Sequence, residues 1–102
     1  MSGAIMTALT LPTLAGSRHS VVRLLDHIPT DLNDVEIVVY ANDLVSAAPS
    51  FADELCKEIL VTRCAARLVV ESASERLAFY LERSAHARGV ADRLVVTDRL
   101  AD

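Results

Sequence analysis

Tryptophan is absent and aromatic residues make up only 4% of the chain, so any interior must be assembled mainly from Ala, Val and Leu. Three glycines among 102 residues leave no place for a GxGxxG fingerprint or a P-loop, and no serine stands in a GxSxG elbow. Nucleotide-binding, kinase and hydrolase chemistries therefore have no motif to rest on, and no cofactor is expected. The two cysteines, Cys56 and Cys64, have neither the CxxC spacing of a redox pair nor that of a zinc half-site, and are read as small buried apolar residues in a reducing compartment. His19, His27 and His86 lack metal-ligand spacing, so no metal site is expected. Basic residues are outnumbered by acidic ones, 10 to 14, and a net charge of −4 cannot supply the positive field that phosphate-backbone binding needs. Nucleic acid is not an expected partner.

Long apolar runs are missing too. Charges or turn residues interrupt every stretch well before the roughly 18 to 20 residues of a membrane-spanning helix. The segment from Met1 to Gly16 has no Lys or Arg ahead of its apolar residues, as a secretory signal would require, and is read as part of the fold of a cytoplasmic protein.

What remains is a chain that is 52% hydrophobic and one ordinary domain long, because two independent cores would each be too small. Residues 1–102 are thus expected to form a single domain, with 1–3 and 99–102 frayed. Nine of the ten basic residues are Arg, which together with the Ala and Val richness fits a GC-rich bacterial or phage coding sequence.

Hydrophobic periodicity alternates between strand and helix along the chain. Ala4 to Thr10 reads as a first strand, free to add antiparallel at an edge. Val21, Leu24, Leu25 and Ile28 fall on one helical face behind a cap at Ser17. The β-branched run from Val35 to Tyr40 reads as a strand covered on both sides. Phe51, Leu55, Cys56, Ile59 and Leu60 form a second helical stripe through about Arg63, opened by Ser50 with Asp53 as a capping box. Arg67 to Val70 is a short strand, Ser72 and Glu75 form a second capping box ahead of a helix carrying Leu77, Ala78, Leu81 and Ala85, Gly89 closes that helix, and Arg93 to Thr97 is the last strand. The expected fold is α/β, a mostly parallel or mixed sheet of about four strands with three helices.

The run Ser50-Phe51-Ala52-Asp53-Glu54-Leu55 after a buried strand, with Ser17-Arg18 opening the preceding helix, resembles the STAS-like domain family, relatives of bacterial anti-sigma-factor antagonists. The resemblance spans roughly residues 15 to 96. Tyr40-Ala41 stand where the family usually has an Asp-Phe pair, and Ala48-Pro49 replace small hydroxyl residues. The resemblance implies a single STAS-like layer fold and a non-enzymatic regulatory module. It also implies that the junction around residues 40–55 docks a protein partner, an anti-sigma-factor or kinase-like protein or another bacterial regulator. Ser50, Phe51, Asp53, Glu54, Asn42 and Asp43 become the expected contact residues, and Ser50, with Ser46 as the nearest alternative, the expected phosphorylation site.

Each candidate has a plainer reading. Ser50 can act as a helix cap alone, and Asp53 and Glu54, about 100° apart on a helix, do not converge as a catalytic pair. Tyr40, Asn42, Asp43 and Ser72 are the polar groups at the carboxyl ends of the strands, where α/β folds bind small ligands, yet they match no familiar chemistry. The alternative function is a self-associating structural subunit, a homodimer through the Ala- and Leu-rich helical face.

Overall fold

In the computed structural model, residues 5–98 are described; the expectations for Ala4 and for fraying at residues 1–3 and 99–102 lie outside them. In chain order the elements are β1 (Ile5–Thr10), β2 (Leu14–Ala15), α1 (Arg18–Leu24), β3 (Val35–Tyr40), β4 (Ser46–Ala47), α2 (Pro49–Cys56), a π-helical continuation (Lys57–Thr62), β5 (Arg67–Ala73), α3 (Glu75–Ala87), a 3₁₀ turn (Ala91–Arg93) and β6 (Leu94–Asp98). The main sheet has the order β1-β3-β5-β6 and is parallel throughout, so β1 is a parallel edge strand and not an antiparallel one. A second, two-stranded parallel sheet pairs β2 with β4, an element too short to leave a periodic trace in the sequence.

Each main strand is joined to its immediate neighbour through a helix, always stepping in the same direction. Right-handed crossovers then place α1, α2 and α3 on one face of the sheet. Burial agrees: Ile37, Val39, Leu68 and Val70 belong to the core with Val21, Phe51, Leu55, Ile59, Leu77 and Leu81, whereas Val38 and Val69, which alternate with them, lie outside that cluster, Val38 at 6% exposure and Val69 half-buried. The result is a two-layer α/β structure: among the described residues, helices lie over one side of the sheet and no element lies over the other. Val35 to Tyr40 is the expected strand, but helices cover it on one side only.

Several boundaries move for identifiable reasons. Helix α1 stops at Leu24, short of Ile28, because Arg63 Nη1 donates to the carbonyls of Leu25, Ile28 and Pro29 at 3.3, 2.9 and 3.2 Å and holds this stretch as turns. Helix α2 starts one residue before Ser50, with Pro49 in its first position and Ala48 as the N-cap, so the Ser50-Asp53 capping box does not form. Its expected continuation to Arg63 is real but wound as a π-helix, which leaves Ile59 and Leu60 buried. Arg93 donates to the carbonyls of Leu60 and Ala65 at 2.7 and 2.6 Å, satisfying acceptors around that loosened end. Cys64 follows in a left-handed conformation (φ 59°) and is exposed, unlike the buried Cys56; the expectation that both thiols are interior holds only for Cys56.

Strand β5 runs on past Val70 through an irregularity in its pairing with β6, with Ser72 at φ 61°, so the residue that caps α3 is Ser74 and not Ser72. Ser74 Oγ accepts from the Leu77 amide at 3.2 Å. At the other end of α3 the Gly89 amide donates to His86 O and the Val90 amide to Ala85 O, the paired bonds of a Schellman motif, with Val90 tucked against the core. Gly89 sits at φ 73°, and a Cβ there would meet nothing within 4 Å. Gly89→Ala is therefore expected to cost backbone strain alone, about 1 kcal/mol, seen as a melting temperature roughly 4 to 8 °C lower with an unchanged circular dichroism spectrum.

Candidate functional site at the start of helix α2

The Ser50–Leu55 motif occupies the middle helix of the layer, and its side chains divide between three tasks. Phe51, Ala52 and Leu55 are fully interior. Asp53 and Glu54 reach sideways to the neighbouring helices. Ser50 lines a cleft of about 320 Å³, together with Arg18 from α1, Pro49 and Asp53 from α2, and Tyr80, Arg83, Ser84 and Ala87 from α3.

Asp53 is the hub. Its Oδ1 accepts from Ser84 Oγ at 2.7 Å and Arg88 Nε at 3.1 Å, and its Oδ2 accepts from Arg88 Nη2 at 2.8 Å and Arg18 Nη1 at 3.1 Å. The fork of Arg88, then the Ser84 hydroxyl and Arg18, holds this carboxyl well below the usual carboxylate range. Glu54 carries the clamp further: Arg18 Nη1 lies 2.9 Å from Oε1 and Lys57 Nζ 3.2 Å from Oε2. Burial disfavours the Glu54 carboxylate, but Arg18 and Lys57 outweigh it and its pKa is also lowered. Beneath them Cys56 is pushed up to about 11 by desolvation, a thiol that stays protonated and inert.

This geometry redistributes the expected contact residues. Phe51 is 1% exposed, so its side chain belongs to the core and presents nothing to a partner. Asp53 and Glu54 are committed to α1 and α3. Asn42 and Asp43 are exposed in the turn after β3, where Asn42 Nδ2 meets Ser72 Oγ at 3.4 Å, and they do not line the Ser50 cleft. Ser50 is half-buried at the second position of α2 and makes no capping bond.

Sequence reasoning missed Arg83 and Val45. Arg83 lies over the rings of Phe79 and Tyr80, 5.4 and 5.8 Å from their centroids, which fixes its guanidinium at the cleft edge. Phe79 is exposed and Tyr80 half-buried. The i, i+3 and i, i+4 spacing of Phe79, Tyr80 and Arg83 was a legible cation–π signal. Val45, 80% exposed, stands in the β3–α2 connection on a backbone anchored by the amides of Val45 and Ser46, which both donate to Thr13 O at 2.8 and 3.3 Å. Nothing local marks Val45, since its exposure depends on the β2–β4 pairing.

Among the described residues there is no group of three or more His, Cys, Asp or Glu placed to hold a metal ion, and no helix is long and apolar enough to cross a membrane. Fold and site together define a two-layer α/β domain with a clamped helical layer and a small cationic cleft at the start of its central helix. No family model matches the chain, nor does any curated protein or solved structure.

Asp53 provides a direct pH test. Its folded-state pKa is depressed, so its contribution to stability is complete above the unfolded value near 4 and is lost as pH falls below that value toward the folded one. Asp53→Asn is expected to lower stability at pH 7 by about 1 to 3 kcal/mol and to flatten the loss of stability below pH ~4. Urea midpoints measured from pH 7 down to pH 3 check both parts.

Proposed function

We propose that this chain is a STAS-like regulatory module of the bacterial cytoplasm, without enzymatic activity, that docks a protein partner through the β3–α2 connection and the start of α2. The observation that carries this reading is Val45: a large apolar side chain 80% exposed on a segment whose backbone is pinned to Thr13 and, through the Ala48 amide, to Ala15 O at 3.0 Å. An apolar anchor on a rigid backbone loses little entropy on binding, which is what favours such a residue in an interface. Asn42 and Asp43 are exposed on the same connection, and Ser50 lines the cleft at the start of α2. The partner is an anti-sigma-factor or kinase-like protein, or another bacterial regulator.

Phosphorylation of Ser50 is the proposed control. A phosphate there would add nearly two negative charges between Arg18 and Arg83 at the positive end of α2. The opposition expected from Asp53 and Glu54 is blunted, because Arg88, Arg18 and Lys57 already offset both carboxylates.

Affinity capture from native lysate with the intact chain, read by mass spectrometry, tests the reading. Val45→Asp and Ser50→Asp are expected to lose a partner retained by the unmodified chain and by Ser50→Ala. Since Ser50 makes no capping bond, Ser50→Ala should change stability by no more than about 0.5 kcal/mol. Capture that is equal for all four proteins would rule out docking at this junction.

A further inference from the structure

The face of the main sheet opposite the helices carries an ordered pattern. Strand register sets Ala8, Val38, Val69 and Val95 side by side across all four strands. One step toward the strand beginnings, Met6, Glu36 and Arg67 form a second row, with Glu36 Oε2 3.9 Å from Arg67 Nη1. One step the other way lie Thr10, Tyr40 and Glu71. Met6, Tyr40 and Val95 are all exposed large hydrophobics, at 63%, 40% and 39%. All-parallel sheets are almost always covered on both faces, since their strands are apolar on both. Here the described residues cover one with helices.

We propose that a second copy of this chain covers the open face, sheet against sheet, about a two-fold axis that runs along the strands between β3 and β5. That rotation lays Val38 over the second copy's Val69 and Ala8 over its Val95. It also sets Glu36 opposite the second copy's Arg67 and Arg67 opposite its Glu36. The four charges alternate around a square, so each acid gains a second base and the ion pair enters the interface compensated. A self-complementary patch of this kind is what an isologous dimer requires. An unrelated apolar surface would bury the pair with no opposing charges. Four strands about 4.8 Å apart and five or so residues long present roughly 19 by 17 Å, smaller than the ~800 Å² per partner of a tight complex, so the dimer is reversible and of micromolar order. The Ala- and Leu-rich helical stripe is not available for this role, because Leu77, Ala78, Leu81 and Ala85 are buried in the core.

Sedimentation velocity of the full chain, from about 5 to 500 μM, is expected to show the 11.0 kDa monomer giving way to a species of twice that mass. Arg67→Glu, which surrounds the axis with four acids, should raise the dissociation constant at least about tenfold, and the double swap Glu36→Arg with Arg67→Glu should restore it to within about threefold. Val95→Asp should also dissociate the dimer, whereas Phe79→Asp, on the outer side of α3, should not; circular dichroism shows that each variant is folded. A wild-type chain that stays monomeric throughout overturns the proposal. So does a dimer broken by Phe79→Asp and not by Val95→Asp, or one indifferent to Arg67→Glu.

Discussion

The three helices of this domain have no covalent link beyond the chain itself, and the point at which they are tied is one carboxylate. Asp53 receives four hydrogen bonds from Arg18 on α1, Ser84 on α3 and Arg88 at the C-terminal cap of α3, and Glu54 doubles the tie to α1 through the same Arg18 nitrogen. With Ser84 only 7% exposed and Arg88 about one-third exposed, the network sits at the boundary of the core, where opposite charges are screened less than at the surface. The cost of removing one partner exceeds the value of any single bond, because Arg88 and Ser84 would both be left facing a lost acceptor.

That tie explains why the helical layer packs closely with so few aromatic residues. Ala52, Ala78 and Ala85 let the helices approach, and Phe51 fills the centre. A layer built of Ala, Val and Leu gains little from specific shape, so charged pairs at its rim fix the angle and register of α2 between its neighbours. The cleft at Ser50 lies against this clamp: Asp53 and Ser84 form part of its lining, and Arg18 and Arg83 line it too.

The sequence made the strongest periodic elements legible. Val35 to Tyr40 reads as a strand from its β-branched run alone, and Gly89 as a helix terminator from its position after an amphipathic stripe. What it hid was tertiary. Ser50 and Ser72 both satisfy the local rule for a cap, but Pro49 and Ser74 took the helix starts, because the β2–β4 pairing and the β5 irregularity set where each chain segment turns. Asp53 stands among the expected contact residues and not as a structural tie, because its partners Arg18 and Arg88 are 35 residues away on either side. The exposed character of Cys64 likewise depends on the π-helical unwinding just before it, which no 3.6-residue pattern announces.

The two proposed surfaces lie on opposite sides of the sheet, and this arrangement matters for how they work together. The open face looks away from the helices, whereas Val45 and the Ser50 cleft belong to the helical side and its carboxyl-end connections. Sheet-on-sheet pairing would therefore turn both helical layers outward and leave both docking sites unobstructed. Two identical sites at a fixed separation raise the effective concentration of the second contact with any dimeric or repetitive partner, so a weak individual contact gains strength with no new residue at the site. A phosphate at Ser50 would then be felt twice per assembly, and a micromolar dimer would make that response depend on how much of the chain the cell contains.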